Sequence, residues 1–258
     1  MSARLSAIAL NTFREAVRDR VLYNLVIFVL LLVASAPLFS EISIGMERLI
    51  LVNVGLSAIS LFGVIIAIFI GIGLVSKEIE KRTLYTILSR PVRRWEFIIG
   101  KYFGLMLTLV VNAGLMTVGF YIALFVTDHS LKLGDSLMLV SIYFILLEFL
   151  MVTAITLLFS SFSTPIFSAI FAFALFAIGT FADDLRNFAG LAHGLTKWLS
   201  TAAAYAVPNF ASLNVISRVA HDQHIAGRLV LYNSIYALLY SAAIAAAAVL
   251  IFERRNLK

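Results

Sequence analysis

ILVNVGLSAISLFGVIIAIFIGIGLV, residues 50–75, is followed directly by SKEIEKRTLYTILSRPVRRWEFIIGK, residues 76–101. The first stretch holds 26 residues without a charge. A bilayer-spanning helix needs about 20 predominantly apolar residues. The second stretch is dense in charge and still carries an apolar stripe of Ile79, Leu84, Ile87 and Leu88. A membrane span running into a charged amphipathic loop sets the frame for the rest of the chain.

Comparable apolar runs recur on both sides. The sequence predicts six spans, at 21–39, 50–75, 102–126, 137–159, 165–181 and 229–252. None alternates with a period of two, and all are too long for barrel strands, which excludes a membrane β-barrel. Composition agrees: 62% of the 258 residues are hydrophobic and 13% are charged, against about 45–50% and 25% in soluble domains. The expected fold is an all-α polytopic membrane protein formed as a single domain over 1–258.

The net charge of +6 would suit a nucleic-acid partner, but its distribution argues otherwise. With the first residues in the cytoplasm, 14 of the 20 Lys and Arg residues fall on the inner side and 6 on the outer. Positive charge concentrates in cytoplasmic loops. Both termini are therefore expected in the cytoplasm of a multi-pass inner-membrane protein, with no nucleic acid as partner. Residues 1–20 have no continuous apolar core of the kind a signal peptide needs.

Segments outside the spans carry further pattern. In 1–20, Leu5, Ile8, Ala9, Thr12, Phe13 and Ala16 share one helical face, and Arg4, Asn11, Glu15 and Arg18 share the other. That spacing predicts an amphipathic helix lying in the membrane interface. In 76–101, Ser76 is placed to cap a helix with Glu78 in its first turn. Glu78 and Arg82 have i, i+4 ion-pair spacing, and Pro91 stops the helix. A loop that only sets topology accounts for the charge here but not for the amphipathic helix. The outer segment 182–228 is too polar to span. Its piece LTKWLSTAAAYAV predicts a short helix at interfacial depth, where Trp198 and Tyr205 are favoured.

Together these features resemble the type-2 ABC transporter permeases, the ABC-2 class. The stretches that carry the resemblance are NTFREAVRDRVLYN (11–24), SKEIEKRTLYTILSRPVRRWEFIIGKYFG (76–104) and PNFASLN (208–214). They are similar to the subgroup described as multicopper-enzyme maturation permeases. The resemblance implies an elbow helix at 1–20, a coupling helix in 76–101 and re-entrant helices in 182–228. It implies contact with a separate ABC ATPase through Lys77, Glu78, Glu80, Lys81, Arg82, Thr83 and Tyr85. It also implies two permeases, identical or similar, and two ATPases, with ATP and magnesium held by the ATPases. The Glu-Ala-Ala loop signature of importers is absent, which favours export.

Other chemistries lack their residues. There is no phosphate-binding G-x-x-x-x-G-K-[ST] loop, HExxH or GxSxG, so the chain is expected to be a transport subunit, not an enzyme, and to bind no cofactor. His221, Asp222 and His224 fall short of the four ligands of a closed metal site. Copper favours soft ligands, yet cysteine is absent and Met106, Met116, Met138 and Met151 are scattered over two spans. Glu148 is the ionisable residue well inside a span, where such groups are costly and often functional. With Asn53 and Asn112 it is a candidate for lining a path. The competing reading is a secondary transporter or channel that uses Glu148.

Overall fold

The computed structural model describes residues 2–17, 27, 46–80, 93–128, 136–191 and 194–254. The expected first span, 21–39, lies outside them except for residue 27, as do residues 81–92 of the loop that joins the second and third. Among the described residues the chain is helical, with no strand. The helices are α1 (Ser2–Ala16), α2 (Glu47–Glu80), α3 (Arg94–Asp128), α4 (Ser136–Phe162), α5 (Pro165–Thr180), α6 (Ala182–Leu191), α7 (Gly194–Ala206), α8 (Ile216–Ala220) and α9 (Gly227–Arg254). A 3₁₀ turn at Ala211–Leu213 precedes α8.

Four helices are long and apolar enough to cross a membrane: α2, α3, α4 and α9. A fifth crossing exists if α5 and α6, which meet at a 60° bend, form one broken span. Backbone polar groups find no water in hydrocarbon, so helices that bond internally are the natural form for these runs.

Helix α4 is the centre of the bundle and touches α2, α3, α5 and α9. Its buried residues run around the whole circumference, from Met138 through Phe144, Phe149 and Thr153 to Ser161. An all-round apolar helix of this kind belongs in an interior. By contrast α9 buries one stripe, Ala237, Ser241, Ala245, Ala248 and Phe252, at three- and four-residue spacing. On α2, Gly55, Gly63 and Gly71 repeat every eight residues. They admit the rings of Phe120 and Phe149 and the side chain of Thr156 at distances no added Cβ would tolerate. Close approach over small residues is how apolar helices gain packing energy where lipid removes the hydrophobic drive.

Two boundaries differ from expectation. Helix α2 continues through Ser76 to Glu80, so Ser76 is mid-helix and not at a helix start. Between 74 and 80 there is no Gly or Pro to stop the helix, and Lys, Glu and Ile all extend one. Helix α3 starts at Arg94, eight residues before the expected span. The Glu96 carboxylate accepts a hydrogen bond from the Arg93 backbone N–H at 3.0 Å, the reach-back half of a capping box. Residues 94–101 therefore belong to a helix and not to the connecting loop.

Candidate functional site

The base of α3 gathers three helices. Helix α1 lies along it with Ile8 over Gly100, and with Ala9 and Thr12 over Gly104. All six residues of the expected apolar face, Leu5, Ile8, Ala9, Thr12, Phe13 and Ala16, are buried or half-buried, while Arg4, Asn11 and Arg14 are exposed. The two glycines, one turn apart on α3, make the groove that receives that face.

Beside this groove stands Lys101, with only 2% of its side chain exposed. Its Nζ lies 3.4 Å from the Glu15 carboxylate and 5.6 Å from the centre of the Phe97 ring. A buried ammonium needs such partners, because removing a charge from water without them is costly. Glu15, placed by spacing on the polar face of α1, is turned far enough toward α3 to supply the countercharge. On the other side, Arg94 Nη1 donates to the carbonyl oxygens of Glu253 at 3.0 Å and Phe252 at 3.4 Å. Those carbonyls belong to the last turn of α9, where helix geometry leaves them unsatisfied and a cation is favoured. Phe97 stacks on Phe252 at 5.9 Å. Helix α3 thus begins at a node that holds α1 and α9 together. In the sequence, Lys101 and Arg94 stand only among the inner-side charges that set topology. The available signal was the Gly100–Gly104 pair flanking Lys101.

The residues expected to contact an ATPase lie just upstream. Lys77, Glu78 and Glu80 are on the last turns of α2. Lys81, Arg82, Thr83 and Tyr85 lie outside the described residues. The next described element after α2 is α3, which begins at the node.

The expected path-lining residues do not converge. Glu148 on α4 is partly buried and accepts a hydrogen bond from Ser60 Oγ of α2 at 2.8 Å. Asn53 donates within its own helix to the Leu49 carbonyl at 3.0 Å. Asn112, buried on α3, donates to the Thr108 carbonyl at 3.2 Å. No hydrogen bond among the described residues joins these three side chains. Small polar groups that bond to their own helix are a routine way of satisfying amides in lipid, so of these three residues it is Glu148 whose contact couples two helices.

At the opposite end of α9, the PNFASLN segment is pinned by polar contacts. Asn209 donates from Nδ2 to Asp183 at 3.1 Å and accepts at Oδ1 from the Ser212 N–H at 3.0 Å. The Asn209 backbone N–H donates to the Tyr236 hydroxyl at 2.9 Å, and Asn233 donates to the Ser212 carbonyl at 2.8 Å. Phe210 bonds back to the Gly179 carbonyl at 3.1 Å. This ties the turn to α5, α6 and α9. The nearby His221 ring lies with Nδ1 2.8 Å from the Ser217 carbonyl. No group of three metal-ligating side chains occurs among the described residues.

A family profile described as "ABC-2 family transporter protein" matches residues 6–257. The chain belongs to the ABC-2 transporter family. An ABC-2 permease is the membrane subunit of an ABC transporter, a transport subunit and not the catalytic ATPase, and it works with an ABC ATPase. No curated protein matches the chain. In this ABC-2 permease the node is where α1, α3 and α9 are held together.

Proposed function

We propose that this chain is the permease of an ABC exporter. It has six spans, the first at 21–39, and both termini in the cytoplasm of the inner membrane. Two copies, or one copy and a similar chain, work with two ATPase subunits. The loop between α2 and α3 meets the ATPase through Lys77, Glu78, Glu80, Lys81, Arg82, Thr83 and Tyr85. The supporting observation is the node: a displacement of the loop reaches α3 first, and α3 carries α1 through Lys101 and α9 through Arg94. Switching by ATP requires different contacts in two states, and three clamped helices can change state as one body. The strongly apolar spans favour a lipid-like, peptide-like or amphipathic cargo.

The test is affinity purification of the chain from its native membrane. A stoichiometric ATPase should accompany it. Charge reversals Glu78→Lys and Arg82→Glu should reduce that association while leaving membrane insertion intact. Full ATPase recovery and stimulation with both variants would refute the coupling assignment.

A second reading, a secondary carrier, rests on the Glu148–Ser60 contact between two spans. It requires that Glu148→Gln abolish transport that proceeds without ATP. The permease reading requires ATP-dependent transport to survive that change.

A further inference from the structure

Helices α3, α4 and α9 leave an open cavity of about 400 Å³ between them, within the roughly 300–1,000 Å³ range of small-ligand sites. Ile99 and Phe103 of α3 form one wall, Ala242 and Ala246 of α9 the other, and Leu150 of α4 the floor. The alanines make the cleft, because larger side chains there would close α9 onto α3. The polar side chains on its walls are those of Tyr102 and Ser241, which lie side by side deep in the cleft, with the Tyr102 hydroxyl turned inward to donate to the Leu150 carbonyl at 3.1 Å. Phe103 at the rim is 58% exposed, in a span that faces lipid wherever protein does not cover it.

Depth and charge identify the occupant. At 1.5 Å per residue, Ile99 and Phe103 lie about 8 and 14 Å along α3 from Arg94, and Ala246 and Ala242 about 12 and 18 Å along α9 from Arg254. Half of a hydrocarbon core is about 15 Å. The cleft therefore starts near headgroup depth and, at Leu238 about 24 Å from Arg254, reaches past the midplane. Beyond its outer end the Arg94 guanidinium reaches across from the start of α3 to the last turn of α9. Arg93 and Arg254 are exposed at the same level, and Arg255 and Lys258 follow in the sequence. Of the acidic groups there, Glu96 is buried and committed to the Arg93 N–H, and Glu253 is exposed.

We propose that this cleft holds an acyl chain of an anionic phospholipid, drawn from the leaflet on the side of Arg94 and Arg254, with the headgroup phosphate over the arginines at the mouth. The bound lipid fills the space between α3 and α9 just inside the node, so it becomes part of the body that the ATPase moves. The lipid site rests on the cavity and its charged mouth and does not depend on the exporter reading.

Trp95 is the reporter. It is one of two tryptophans, partly exposed, and one turn before Ile99 on the same face of α3. A Trp198→Phe chain leaves it as the single tryptophan. The full-length chain is reconstituted in phosphatidylcholine vesicles with small mole fractions of brominated phosphatidylglycerol or brominated phosphatidylcholine, and quenching of Trp95 is read. Each basic side chain at headgroup depth favours an anionic lipid by about fivefold. Brominated phosphatidylglycerol should quench at a mole fraction at least about fivefold lower than brominated phosphatidylcholine, on that scale. Arg254→Gln should cut that preference. Ala246→Phe, which fills the cleft from an exposed position, should abolish it. Leu250→Phe, on α9 outside the cleft, should preserve it and controls for folding. Equal quenching by the two lipids in the unsubstituted cleft would overturn the proposal. So would a preference that survives Ala246→Phe. If Ala246→Phe instead lowers self-association while no lipid preference exists, a second copy covers the cleft and the lipid site is refuted.

Discussion

Glutamine in place of Glu15 removes the countercharge from Lys101 and leaves the shape of α1 almost unchanged. Lys101 is 2% exposed, Glu15 is 32% exposed, and they are 3.4 Å apart. Breaking a fully buried pair by removing one partner costs about 3–5 kcal/mol, and breaking an exposed pair costs about 1 kcal/mol or less. With one partner a third exposed, the loss falls between these, at about 1–3 kcal/mol. That free energy weakens the docking of α1 on α3, so the undocked fraction should rise about 5- to 150-fold. Thr12 provides the readout, since it is fully buried against Gly104 and the natural chain has no cysteine. Maleimide labelling of a Thr12→Cys chain in the assembled transporter should accelerate by that factor when Glu15→Gln is added. Adding Lys101→Met should slow it again, because an apolar side chain in that place carries no charge that needs Glu15. Unchanged labelling with Glu15→Gln, or no recovery with Lys101→Met, would refute the role given to this pair.

Further outcomes are expected elsewhere. Gly63→Ala forces the buried Phe149 ring aside and should destabilise by about 1–3 kcal/mol, read as a lower thermal midpoint in detergent. Arg94→Gln withdraws a charged donor from the Phe252 and Glu253 carbonyls; hydrogen exchange in the last turns of α9 should speed up while the middle of α9 stays protected. Asn209→Ala strips a partner from the half-buried Ser212 N–H and from the exposed Asp183 carboxylate, at about 0.5–1.5 kcal/mol for each hydrogen bond lost. Residues 208–214 should then become the first site of proteolytic nicking on that side of the bundle.

The helical character of the chain and the outlines of its long helices were legible because apolar run length answers directly to bilayer thickness. The face of α1 was legible for a related reason: Ile8, Ala9 and Thr12 obey a local period. Partners were not. Gly55, Gly63 and Gly71 read as contact points, but that they meet Phe120, Phe149 and Thr156 depends on how α2 lies against α3 and α4, which no local pattern encodes. Lys101 shows the same limit in charge. A lysine at the edge of a span reads as an anchor for topology, and only the return of α1 to the Gly100–Gly104 groove makes it half of an ion pair. The end of α2 was missed for the opposite reason. Ser76 is a good cap in isolation, but a helix already under way passes through it when nothing downstream breaks the backbone. Glu148 was singled out by its cost in lipid; its partner Ser60 is an ordinary residue until the two helices meet.

The node also imposes an order on biosynthesis. Glu15 is made 86 residues before Lys101, and Arg94 is made 159 residues before the Glu253 carbonyl it holds. At about 5–20 residues per second, these gaps are roughly 4–17 s and 8–32 s. During the first interval α1 has no groove to enter, and an amphipathic face lets it rest at the membrane surface instead of aggregating. During the second, Arg94 is left without its carbonyl acceptors at the end of α9. The arrival of α9 is thus the event that completes the node, and a ribosome stalled before it leaves Arg94 without those acceptors.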